Sequence, residues 1–125
     1  MSLTREQILT AALPASTPVE CPELGGTVHV RCLTAGERNQ WEASCIGADG
    51  KPTYANASAK LVALGATDET GSRLFTFADV EVLAGKAAQA IERLADKIME
   101  LSGIGGNAEK AAEKNSEANP TSDSV

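Results

Sequence analysis

The chain has 125 residues, enough for one compact domain with tails, and its 42% hydrophobic content includes only 3% aromatics, so any core is mainly Ala, Val, Leu and Ile. A formal charge of −6 is the wrong sign for displacing counterions from nucleic-acid phosphates or for docking on an anionic membrane. No apolar run approaches the roughly 20 residues of a membrane span, the opening residues 1–7 are polar and unlike a secretory signal, and Cys21, Cys32 and Cys45 lack Cys-x-x-Cys spacing and read as reduced cytosolic thiols.

Three segments open with the same device. Thr4-Arg5-Glu6-Gln7, Thr34-Ala35-Gly36-Glu37 and Thr76-Phe77-Ala78-Asp79 each place a threonine three residues before a side chain that can bond back to its amide. Each reads as a helix start, with Gln and Glu better suited than the shorter Asp. The first helix is expected from about Arg5 to Ala12, stopped by Pro14. Its narrow stripe of Ile8, Leu9 and Ala12 suits either an arm that docks on the domain or one that frays.

Val19-Glu20-Cys21 and Thr27–Leu33 read as strands joined by the turn Pro22-Glu23-Leu24-Gly25-Gly26, a β-hairpin. The second alternates, with Val28, Val30 and Cys32 on one face and Thr27, His29 and Arg31 on the other. The helix opened by Thr34 is expected to about Cys45, with Arg38, Trp41 and Cys45 at helical spacing, and residues 47–52 form a loop. Residues 55–67 carry good helix formers that run into Gly65-Ala66-Thr67, so helix and strand both remain open. Our reading is a helix running into a strand, then a hairpin over Asp68-Glu69-Thr70-Gly71 with Ser72–Phe75 extended.

Val80, Leu83, Ala87, Ile91, Leu94, Ile98 and Leu101 recur at three- and four-residue steps, which predicts one long amphipathic helix ended by Ser102-Gly103. Gly85 inside it costs about 1 kcal/mol relative to Ala. The expected fold class is α+β: a small single domain with an N-terminal β-hairpin, a short central helix, a mixed helix/strand segment and a long C-terminal amphipathic helix. The domain spans residues 1–104, with 1–14 as its helical arm. Residues 105–125 are too polar to offset their ordering entropy and read as a disordered tail, with a possible helical stub over Ala108–Lys114.

No catalytic, metal or cofactor-binding set emerges. His29 is the single histidine and has no second ligand at metal spacing. Cys32 and Cys45 lack a His or Asn partner for nucleophilic catalysis. Gly25-Gly26 and Gly103-Ile104-Gly105-Gly106 have the wrong flanks for a phosphate cradle, and Asp68-Glu69-Thr70-Gly71 is too short for a calcium loop. The chain therefore reads as a protein-binding protein, not an enzyme. Trp41 serves either as a core anchor or as a partly exposed binding anchor. Leu94, Ile98 and Leu101 either complete the core or extend past the domain to serve self-association or a partner.

The stretch from Gly25 to Arg38, a strand with Val28-His29-Val30-Arg31 running into Leu33-Thr34-Ala35-Gly36-Glu37-Arg38, resembles the tail assembly chaperones of long-tailed, siphovirus-type bacteriophages and prophages. The resemblance continues through Ala59–Leu64, Asp68–Thr76 and the helix to Gly103, and ends near Ser116. Two positions depart from the pattern: Cys32 stands where a charged residue is expected, and Gly65-Ala66-Thr67 is less apolar than expected. The resemblance implies a chaperone that binds the tape measure protein, keeps it soluble and helps recruit tail tube protein. It also implies self-association, a frameshifted longer form of the same gene, residence in the host bacterial cytoplasm and absence from the mature virion. Neither nucleic acid nor membrane is an expected partner. The alternatives are a structural virion component, such as a tail-tube or head–tail completion protein, and an acidic antitoxin-like regulator.

Overall fold

The computed structural model describes residues 2–104. The expected tail at 105–125 and its helical stub lie outside these residues. Ten short elements alternate in an α+β arrangement, with a small antiparallel sheet on one side of a helical layer.

The arm helix α1 (Arg5–Thr10) starts at Thr4 with both bonds of the capping box. It ends two residues earlier than its composition predicts, because Ala11 is already extended ahead of Leu13-Pro14. Strands β1 (Thr17–Cys21) and β2 (Gly26–Val30) form the expected hairpin in a register running from Thr17 opposite Val30 to Cys21 opposite Gly26. A 3-10 turn, Pro22–Leu24, closes it. Gly25 follows at φ +88, where a side chain would be strained, and its N–H donates to the carbonyls of Cys21 and Pro22 at 3.1 and 3.0 Å.

Strand β2 stops at Val30, three residues short of the expected end at Leu33. The chain leaves the ladder because its next polar groups find other partners: Arg31 turns into the protein toward Glu37, and the Leu33 amide donates to Ser102 Oγ at 2.9 Å. Helix α2 (Ala35–Ser44) then starts on the Thr34–Glu37 capping box. The ambiguous segment resolves into helix α3 (Ala57–Gly65) followed at once by strand β3 (Ala66–Thr67), which pairs with β2 through His29–Thr67 and Val30–Ala66. The sheet order is β1-β2-β3. A tight turn at Asp68–Gly71 brings Arg73 back beside Thr67, and the Leu74 amide donates to the Ala66 carbonyl at 3.1 Å.

The expected single C-terminal helix is two helices. Thr76 caps a 3-10 turn, Phe77–Asp79, that leads into α4 (Val80–Ala84), and α5 (Ala88–Ser102) follows. Gly85 and Lys86 donate to carbonyls only three residues back, and Ala87 at φ −57, ψ 126 is outside helical space. The periodic stripe survives the break in sequence but not in space, since Ala87 is exposed. Helix α5 ends as predicted, with Gly103 left-handed at φ +69 and the Ile104 amide donating to the Met99 carbonyl at 2.8 Å.

The core lies where α5 packs on both α3 and strand β2. Leu61, Val62 and Leu64 of α3 meet Leu94 and Ile98 of α5, with Val30 of β2 and Cys21 of β1 beneath. The unexpectedly small Gly65-Ala66-Thr67 follows from this closeness. All three are buried, and a Cβ on Gly65 would stand 2.7 Å from Cδ1 of Ile98.

Candidate protein-binding surface

Two ion pairs hold the frame on which the surface is built. The Arg31 guanidinium meets the Glu37 carboxylate with paired bonds of 2.8 and 2.9 Å, and the two side chains are only 9% and 13% exposed. Burial works to raise the Glu37 carboxyl, but Arg31 and the Thr34 amide outweigh it and hold it below the usual carboxylate range. One acid thus caps α2 and neutralises the cation at the end of β2. The second pair joins the hairpin turn to α5: Arg93 grips Glu23 at 2.7 and 2.8 Å, and its hydrogen bonds hold the Glu23 carboxyl down at about 2.

Beside this second pair the surface opens into an apolar pocket of about 220 Å3. Its floor is core, formed by Val62, Leu83, Ile91 and Leu94, and Val28 and Phe75 form its walls. The rim is apolar and exposed. Leu24 comes from the hairpin turn, Leu74 from the strap after β3, and Val82, at 62% exposure, from α4. Asp79 and Lys86 also border it. A shallower groove shares Leu83, Lys86 and Ile91 and runs on to the exposed Tyr54. The break between α4 and α5 creates this relief, because it lets α4 turn aside and stand as one wall.

The residues expected at a partner-binding surface are distributed differently. Leu94 and Ile98 are fully buried against α3, so the expected exposed end of the last helix is corrected: these two side chains hold the core, with Leu94 reaching the pocket floor. Leu101 is partly exposed at the last turn. Trp41 is half-buried against the core, and its indole N–H donates to the Ala57 carbonyl at 3.1 Å, tying α2 to the start of α3. Trp41 and the α5 residues are not drawn into one patch. The rim residues Leu24, Leu74 and Val82 each sit off a periodic stripe, which is why periodicity alone does not mark them. Apolar residues in a turn, a strap and on the wrong face of a helix were the available signal.

Chemistry-bearing side chains are scattered. Cys21 and Cys45 are buried, Cys32 is half-buried, and all three are free thiols. His29 lies within the sheet opposite Pro18 and Thr67. Among the described residues, no group of three His, Cys, Asp or Glu side chains could hold a metal ion, and no helix is long and apolar enough to cross a membrane.

Comparison with solved structures finds a likeness to the tail assembly chaperone of bacteriophage HK97. The TM-score is 0.55 at 17% sequence identity, over 81% of this chain and 93% of that one. The chain has the fold of a phage tail assembly chaperone. At this identity the likeness is one of fold, and it extends over nearly the whole of the HK97 protein. The resemblance read from the strand and cap at Gly25–Arg38 thus has its counterpart in three dimensions. No family model matches the chain, and no curated protein matches it.

Proposed function

We propose that this protein is a tail assembly chaperone of a siphovirus-type phage or prophage, which binds the tape measure protein, keeps it soluble and helps recruit tail tube subunits. The observation that carries this reading is the likeness in fold to the HK97 chaperone over 81% of this chain. The pocket supports it on separate physical grounds. An apolar trough with an exposed apolar rim suits one face of an amphipathic helix, the helix-in-groove mode of recognition. A tape measure protein is a long, helical, hydrophobic chain, and the surplus of carboxylates keeps a complex with such a client dissolved.

In this reading the chain works in the host bacterial cytoplasm, is made alongside a frameshifted longer form, and leaves before the virion matures. Co-expression with the tape measure protein of the same phage tests the central claim. The client is expected in the soluble fraction and on the affinity column with the chain. Leu74→Ser with Val82→Asp is expected to release it without unfolding the domain. If the client stays insoluble in the presence of the folded chain, the reading fails. A structural virion component would instead appear in purified mature particles, where mass spectrometry would find it at subunit stoichiometry.

A further inference from the structure

Each apolar residue on the pocket rim follows a charged residue in the chain, and in all three places that charge is tied to another element. Glu23, before Leu24, takes paired bonds of 2.7 and 2.8 Å from the Arg93 guanidinium of α5. Arg73, before Leu74, donates to the Ala63 carbonyl of α3 at 3.3 Å and lies 3.9 Å from the Glu37 carboxylate of α2. Glu81, before Val82, accepts from the side-chain amide of Asn56, which precedes α3, at 3.4 Å.

The rim needs such ties because its own backbone holds it weakly. Leu24 ends a three-residue 3-10 turn, Leu74 lies in the strap after a two-residue strand, and Val82 belongs to a five-residue helix. Turns and helices this short are marginal by themselves. All three side chains are exposed beside an open apolar pocket of about 220 Å3. Removal of apolar surface from water drives them to fold over the pocket and close it.

A pinned neighbour opposes that collapse. Successive side chains point to opposite faces of an extended chain and lie roughly 100–120° apart around a helical turn. Fixing one of them therefore fixes the direction of the next. Arg73 shows this most simply: its backbone is bridged to Thr67, its guanidinium is held by Ala63 and Glu37, and Leu74 lines the pocket.

We propose that Glu23, Arg73 and Glu81 are positioning residues, whose tethers hold Leu24, Leu74 and Val82 outward and keep the apolar pocket open. Their bearing on client capture rests on the chaperone reading; their bearing on the pocket does not. Each acts through the residue that follows it. The effects rank with the geometry: Glu23 has two short bonds, Arg73 one longer bond and a distant acid, and Glu81 a single long bond at the surface.

Double-mutant cycles on the purified full chain test this with two ligands. Anilinonaphthalene sulfonate probes the pocket, and the tape measure protein of the same phage serves as client. Glu23→Ala is expected to weaken probe binding by about fivefold, Arg73→Ala by about threefold and Glu81→Ala by less than about twofold, in keeping with the small effects of exposed ion pairs. Glu100→Ala, which breaks an exposed pair with Lys97 away from the rim sequence, should change nothing. The deciding comparison starts from a rim variant. With Leu24→Ser already present, Glu23→Ala should have no further effect, and the same should hold for Arg73→Ala after Leu74→Ser.

Thermal midpoints show whether each variant keeps its fold, and Arg73→Lys, which lacks the planar fork, replaces Arg73→Ala if that variant unfolds. Additive losses in both cycles overturn the inference, as do tether variants that bind the probe like the parent or a parent chain that leaves the probe unbound. If the probe follows the expected pattern while the parent fails to capture client, the tethers stand and the chaperone reading falls.

Discussion

Gly65 and Ile98 show how one missing methyl sets the distance between two helices. A Cβ at position 65 would lie 2.7 Å from Cδ1, 2.9 Å from Cγ1 and 3.0 Å from Cγ2 of Ile98. Gly65→Ala gains about 1 kcal/mol of helix propensity but forces an overpacked core that costs about 1–3 kcal/mol. We therefore expect a net loss or near-neutrality in urea unfolding. Ile98→Val, which removes Cδ1, should cost less in the Gly65→Ala background than in the parent, where it costs about 0.5–1.5 kcal/mol; equal costs would refute the contact. Leu94→Ala and Ile98→Ala are expected to lose about 2–5 kcal/mol each, as core truncations do, and a loss near zero in either would return that residue to the surface. A different residue-scale effect is expected at Glu23. Its carboxyl falls from the ordinary 4.5 to about 2 on pairing with Arg93, so its contribution is present above about pH 4.5 and is lost as pH falls toward 2. Glu37 and Asp68 are shifted in the same direction. Stability should drop across that window, and Glu23→Gln should flatten part of the drop; an unchanged slope would sink the assignment.

At the scale of the element, the start of α2 carries more than a cap. Thr34→Ala removes the acceptor for the Glu37 amide and should cost about 1 kcal/mol, the usual value for a lost N-cap. Glu37→Ala does more, because it also leaves the buried Arg31 guanidinium without its partner. That loss should be about 3–5 kcal/mol, as for other broken buried pairs. Arg73, 3.9 Å from the same carboxylate, does not replace it, since it adds a second cation to a site then lacking an acid. Chemical denaturation of the two variants separates the cases: equal losses would mean that Arg31 is solvated and the pair structural in name only. Helix α5 illustrates the opposite limit. Its own residues specify it well, yet it begins at Ala88, eight residues after the periodic stripe begins at Val80.

For the whole molecule, the α4–α5 break has the largest functional consequence. A continuous helix from Val80 to Leu101 would carry Val82 along the same axis as Leu94. The break instead sets α4 against α3 as a separate wall, and the pocket opens between that wall, the hairpin turn and the strap at Leu74-Phe75. The domain thus assembles its apolar pocket from elements distant in sequence. If the proposed function holds, loss of the pocket stops assembly: with Leu74→Ser and Val82→Asp in the gene, tails should be absent or aberrant by electron microscopy while the protein itself accumulates. Normal tails from that variant would detach the pocket from the function.

Local chemistry was legible in the residues themselves. The three threonine caps, the hairpin at Pro22–Gly26 and the glycine that ends α5 all follow from interactions within a few positions along the chain. The fold class followed too, as did the order of helix and strand in residues 57–67 that we favoured. What the tertiary structure alone decided was which apolar side chains face inward. The repeat that includes Leu94, Ile98 and Leu101 is the same whether α5 projects or packs, and the packing of Gly65 against Ile98 chooses the second. The break at Gly85–Ala87 was likewise hidden, because a single glycine costs a helix too little to end it. In the structure Gly85 and Lys86 bond only three residues back and Ala87 leaves helical space, so α4 and α5 pack as separate helices.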